Sequence, residues 1–226
     1  MELKGKKIAF LGDSITEGVG VSSAQCRYEN ILSKKCELSE IFVDAIAGSR
    51  FAYQHRPNED ARRQLFFCGR AFMLPTDADI VVVYGGVNDY LNGDAPFGEE
   101  GDGGFMTFCG ATRFLMNTLR QRFGDKPIVF MTPAHCYYKG VRDSETKSRY
   151  PDLADREKPL IAYVDVIKRT AAEFGIHILD LYENLGVDPN IPEHKEKYTV
   201  EGLHFNDEGH KVIAERLEEF LRSIDE

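Results

Sequence analysis

In KIAFLGDSITEG, Lys7 to Gly18, an apolar run ends directly on a Gly-Asp-Ser turn. A serine where a buried strand has ended and a helix is about to begin presents its hydroxyl at an edge of the fold. The first turn of that helix sets N–H groups without intrahelical acceptors beside it. Ser14 is therefore a candidate nucleophile. A serine hydroxyl attacks only when a neighbouring base takes its proton. His204 is the candidate base, in YTVEGLHFNDEGH between the last apolar run and the last amphipathic stretch. Glu201, three residues earlier, is spaced to orient the imidazole and stabilise its protonated form. Acyl transfer also needs donors aimed at the oxygen that becomes negative. Gly48 in AIAGSR and Asn88 in YGGVND each lie just beyond an apolar run and, with the N–H of Ser14, supply three. The chemistry these residue types suit is ester cleavage through an acyl-serine.

Each of these residues also has a plainer reading. Ser14 suits a helix N-cap, Gly48 and Gly86 suit tight turns, and Asn88 can cap a turn. Five other histidines compete with His204. His177 falls inside an apolar run and is assigned to structure. His210 falls inside the last helix, to face solvent or cap a neighbour, while His55 and His194 lie elsewhere. His135, just after the fourth run, is the rival at the right edge. Asp13 and Asp89 flank the key positions and are assigned to holding turns by hydrogen bonds. The aromatic group Phe51, Tyr53, Phe66, Phe67 and Phe72 is assigned to the core.

The elements that must position these residues are five short apolar runs: Lys7–Leu11, Ile41–Ile46, Asp79–Tyr84, Pro127–Thr132 and Ile176–Leu181. They do not alternate polar with apolar, which predicts strands buried on both faces in a parallel sheet. Helical spacing recurs between and after them, at Phe108, Leu115, Leu119 and Phe123 and at Ile213, Leu217, Phe220, Leu221 and Ile224. The alternation predicts an α/β fold, a three-layer α/β/α sandwich, in one domain over residues 1–226. Two long polar stretches, Leu91–Gly104 and Cys136–Lys158, follow predicted strands and so lie at the carboxyl edge, where open α/β sheets bind ligands.

Composition narrows the function class. With 42% hydrophobic and 29% charged residues in 226, a sizeable core is expected. A net charge of -9 argues against nucleic acid as a partner. Five cysteines without a C-x-x-C pair read as free, mostly buried thiols and suggest no zinc site. No run approaches the roughly 18 apolar residues of a membrane span, and Ile8–Leu11 is too short for a signal core. A soluble, cytoplasmic protein with no membrane partner is expected.

Taken in order, Gly12-Asp13-Ser14-Ile15, Gly48, Gly86-Val87-Asn88-Asp89 and His204 resemble the blocks of the GDSL/SGNH hydrolase family across almost the whole chain. The resemblance implies a flavodoxin-like sheet and hydrolysis of a small-molecule ester without metal or organic cofactor. It implies Ser14 as nucleophile and first oxyanion donor, Gly48 and Asn88 as the other donors, and His204 as base. One departure is visible: the family's last block usually reads Asp-x-x-His, and this chain has Glu201-Gly202-Leu203-His204. A Ser-His-Glu triad and a Ser-His dyad using a backbone carbonyl both remain open. The polar loops point to a short acyl ester, such as an acetyl group on a carbohydrate, with a lipid acyl ester or thioester as the nearest alternative. A non-catalytic sugar- or nucleotide-binding module is the alternative of another class. Against it stand the full set of reacting groups and the lack of a G-x-x-x-x-G-K loop.

Overall fold

The protein is described here by a computed structural model covering residues 1–56, 61–137 and 158–225. Five strands, β1 (Lys7–Gly12), β2 (Glu40–Ala45), β3 (Ile80–Tyr84), β4 (Ile128–Met131) and β5 (His177–Leu179), form one sheet in the order β2-β1-β3-β4-β5. All four pairings are parallel. This is the order of the flavodoxin-like doubly wound sheet, in which chain direction across the sheet reverses beside β1. Ser14 follows β1 immediately.

Side chains along a strand alternate between faces. Ala9, Leu11, Val81 and Val83 point into one buried cluster with Phe67 of α3 (Phe67–Arg70), Leu115 of α5 (Phe108–Phe123) and Ile167 of α6 (Leu160–Glu173). Ile8, Phe10, Ile80 and Val82 point into another with Leu32 of α2 (Tyr28–Cys36) and Leu217 of α9 (Asp207–Ser223). Both faces are covered, which is why the central strands read as continuous apolar runs. The predicted helical stripes are seated accordingly: Phe108, Leu115, Leu119 and Phe123 are buried on the first face, Ile213, Leu217, Leu221 and Ile224 on the second, with Phe220 partly buried beside them.

The structure corrects several expectations. The edge strand β2 is not buried on both faces: Glu40 is exposed and Phe42 is 38% exposed. β5 stops at Leu179, because the Asp180 carboxylate accepts the N–H of Glu183 and starts α7 (Leu181–Asn184). Of the aromatic group, Phe51 and Phe67 are core, Phe66 is partly buried, and Tyr53 and Phe72 are exposed. The stretch Leu91–Gly104 begins inside a helix, α4 (Val87–Asn92), and continues as irregular chain. Most of Cys136–Lys158 lies outside the described residues. All five cysteines are free thiols; Cys36, Cys68 and Cys109 are buried, and Cys26 and Cys136 are partly so. Among the described residues, no helix is long and apolar enough to cross a membrane. Nor does any group of three or more His, Cys, Asp or Glu there have the arrangement to hold a metal ion.

Candidate active site

Ser14 is the first residue of α1 (Ser14–Glu17), a single turn whose N-cap is Asp13. The Asp13 Oδ1 accepts the N–H of Ile15 at 3.0 Å, so the acid beside the serine holds the turn that presents it. Ser14 Oγ lies 3.0 Å from His204 Nε2. On the far side of the ring, His204 Nδ1 meets Glu201 Oε1. A carboxylate at Nδ1 selects the tautomer protonated there, and Nε2 is left with a lone pair facing the serine hydroxyl. The longer Glu reaches the imidazole, and a Ser-His-Glu line is assembled.

The loop carrying Glu201 and His204 is closed by its backbone. Thr199 and Phe205 form an antiparallel bridge, and the Val200 N–H donates to the His204 carbonyl at 2.9 Å. Between the acid and the base, Gly202 has φ +105, and a Cβ there would fall 2.2 Å from the Tyr137 carbonyl oxygen. Only glycine lets this turn pass under Tyr137, whose N–H donates to the Gly202 carbonyl.

Gly48 and Asn88 are the donors expected alongside the N–H of Ser14. Gly48 follows β2 with φ +77, and its N–H has no acceptor among the described residues. Asn88, 4% exposed on α4, sends its amide to Asp13 Oδ2 and to the Ser49 carbonyl, both at 3.2 Å. The Asn88 amide thus bridges the residue before Ser14 and the residue after Gly48, and it already has two acceptors, both at long range. Asp89 accepts the N–H groups of Phe51 and Ala52 at 2.9 and 3.0 Å. It ties α4 to the segment after Gly48, a role across two segments rather than within one turn. Burial lifts the Asp13 carboxyl to about 7 and the Asp89 carboxyl to about 6.

The other histidines are placed away from the hydroxyl of Ser14. The His135 ring packs at a tilt against Tyr182, with ring centroids 3.9 Å apart. His194 Nδ1 accepts the Asp188 N–H. His177 lies in β5. His210 does not face solvent: it is fully buried, its Nδ1 accepts the Tyr28 N–H at the start of α2, and burial pushes it down to about 4. Capping a neighbour is its observed role.

The sequence profile of the GDSL-like lipase/acylhydrolase family matches residues 10–212, which include every block of the site. The chain belongs to this family. Its carboxylic ester hydrolase chemistry is that of the GDSL-like lipases and acylhydrolases. Among solved structures, a protein from Lactobacillus plantarum is 30% identical over 99% of both chains, with a TM-score of 0.82. A lipase/acylhydrolase from Enterococcus faecalis is 21% identical over 94% of this chain and 93% of its own, with a TM-score of 0.58. A comparison with curated proteins gives no match.

Within this GDSL-like frame, three side chains that the motif reading did not single out hold the donor side. Glu17 Oε2 accepts the Ala47 N–H at 2.6 Å, one residue before Gly48. Ser49 Oγ donates to the Leu65 carbonyl, and Arg70 Nη2 donates to Ser49 Oγ. Glu17 sits two residues beyond the first block and three beyond Ser14. Arg70 had no signal in the sequence, being an ordinary cation between two apolar stretches.

Proposed function

We propose that the protein is a serine ester hydrolase that cleaves a short acyl ester through an acyl-serine intermediate. The observation that carries this reading is the unbroken contact line from the Glu201 carboxylate through both His204 nitrogens to Ser14 Oγ, ending 3.0 Å from the imidazole. In this reading Ser14 Oγ attacks the ester carbonyl as His204 Nε2 takes its proton. The oxyanion forms against the N–H groups of Ser14 and Gly48, and the Asn88 amide turns part of its long contact with Asp13 toward it. The imidazolium then protonates the leaving alkoxide. A water, deprotonated by the same nitrogen, releases the acid.

A small recess beside the site supports a short acyl group. It is walled by Ile15, Val87, Ala134, Leu203 and Phe205, with room for about one water-sized group, roughly 10 Å³. Four of those residues, Ile15, Val87, Leu203 and Phe205, adjoin Ser14, Asn88 or His204 in sequence, which sets the recess beside the reacting groups. An acetyl methyl matches it, and a long chain does not. His135, partly buried in its wall and packed against Tyr182, offers a polar ring to an alcohol such as a sugar.

Two measurements test this. Ser14→Ala is expected to lose fluorophosphonate labelling and at least about 10⁴-fold in kcat on p-nitrophenyl acetate, with the thermal midpoint nearly unchanged. Turnover retained in that variant would defeat the assignment. In a chain-length series, kcat/KM is expected to fall about tenfold or more from acetyl to octanoyl esters. A rise toward octanoyl would favour the lipid ester.

A further inference from the structure

Arg70, the last residue of α3, is 4% exposed and lies beneath the carboxyl ends of β1 and β2. A guanidinium carries five N–H groups in a planar fork, and each finds an acceptor here. Nε donates to the Leu65 carbonyl at 3.2 Å. Nη1 donates to the Asp44 carbonyl and to Asp44 Oδ1, at 2.9 and 2.8 Å. Nη2 donates to the Gly12 carbonyl and to Ser49 Oγ, both at 2.9 Å.

The last two contacts matter most. Gly12 is two residues before Ser14, and Ser49 is the residue after Gly48. One nitrogen of one side chain therefore joins the segment that carries the nucleophile to the segment that carries a backbone donor. The Ser49 carbonyl accepts from Asn88, which brings the third donor into the same network. From the opposite side, Glu17 holds the Ala47 N–H. The loop bearing Gly48 is thereby gripped on both flanks, while its own N–H has no acceptor among the described residues.

We propose that Arg70 is a positioning residue of the oxyanion site: through Gly12 and Ser49 it sets the separation between the N–H groups of Ser14 and Gly48. This inference rests on the hydrolase reading above. A donor displaced by a fraction of an ångström still admits the planar ester but grips the tetrahedral oxyanion poorly, so the loss falls on the transition state. Lysine cannot replace the fork, because a single ammonium cannot span Asp44, Gly12 and Ser49 with fixed angles.

The test uses two variants, Arg70→Lys and Ser49→Ala, the second removing only one of the five contacts. Three quantities are read: kcat and KM for p-nitrophenyl acetate, inhibition by methylboronic acid, whose tetrahedral serine adduct places an oxygen among the donors, and inhibition by acetate. Expected are kcat losses of about 100-fold for Arg70→Lys and about tenfold for Ser49→Ala. KM and acetate inhibition stay within about twofold, and methylboronate binding weakens in step with kcat. Should Arg70→Lys fail to fold, Ser49→Ala decides alone. A folded Ser49→Ala with wild-type kcat and methylboronate affinity overturns the inference, as does a kcat loss without any loss of methylboronate binding. If wild-type protein takes up no fluorophosphonate at Ser14, the hydrolase reading falls and this inference with it. Wild-type turnover with unaltered variants removes this inference alone.

Discussion

The two sides of the site are built differently. On the donor side, Asp13, Ser49, Arg70 and Asn88 are all buried, and each is tied by side-chain hydrogen bonds to segments far away in the chain. On the base side, the side chains of His204 and Glu201 remain 20% and 36% exposed, and their loop is closed mainly by its own backbone. The difference follows from what each side does in the proposed reaction. Donors lower a barrier only if they are already in place when charge develops. An imidazole that takes a proton from one oxygen and gives it to another must tolerate small rotations, which a half-exposed loop permits.

The sharpest way to break this comparison is to remove the base. His204→Ala is expected to lower kcat by about 10⁶-fold, and Glu201→Gln by less, about 10⁴-fold, because the amide keeps the ring in place but no longer selects the tautomer protonated at Nδ1. Steady-state kinetics on p-nitrophenyl acetate at pH 8 give both values. Equal losses would make the carboxylate as indispensable as the imidazole and remove the contrast.

On the donor side, Asp13→Asn is expected to cost about 10- to 100-fold in kcat, since an amide offers one oxygen where the carboxylate serves Ile15 and Asn88 with two. Its stability has a signed pH dependence. Burial raises the folded Asp13 carboxyl from 3.8 to about 7, so the folded state binds this proton more tightly than the unfolded chain does. Ionisation then costs stability, a cost absent below about pH 4 and complete above about pH 7. Asparagine never ionises. Unfolding free energies from urea titrations are expected to move in favour of Asp13→Asn as pH rises through that window and to run parallel to wild type above it. Movement in the opposite direction would mean that the carboxylate is stabilised as the anion.

The smallest effect is expected at the outer anchor of the base side. Ser22 donates through its N–H and its hydroxyl to the Asp207 carboxylate, both exposed, at 2.8 and 2.6 Å. Ser22→Ala should change kcat by less than about threefold, because exposed polar contacts of this kind are worth roughly 1 kcal/mol or less. A loss as large as that of Ser49→Ala would show that the base side needs the same rigidity as the donor side.

Legibility differed by element for identifiable reasons. The stripes of α5 and α9 and the central strands β1, β3 and β4 were readable because a repeat of 3.6 or a continuous apolar run reports burial directly. The end of β5 was not, since Ile178, Leu179 and Leu181 look continuous until the Asp180 carboxylate turns back to cap α7. Nor was the fate of Tyr53 and Phe72, because an aromatic residue type does not say which face it will occupy. In the site, Ser14, Gly48, Asn88 and His204 were marked by their places after apolar runs, whereas the retention of Glu201 as partner depended on how far a longer side chain would reach.

By itself the chain determined which residue types stand at the strand ends and which stripes must be buried, since those follow from local order and period. Tertiary structure alone decided that His204 rather than His135 meets a serine 190 positions away, that His210 turns inward to cap α2, and that Arg70 closes on Gly12 and Ser49. Hydrogen bonds and burial depend on distances in space, and those distances exist only once the sheet has brought its carboxyl edge together.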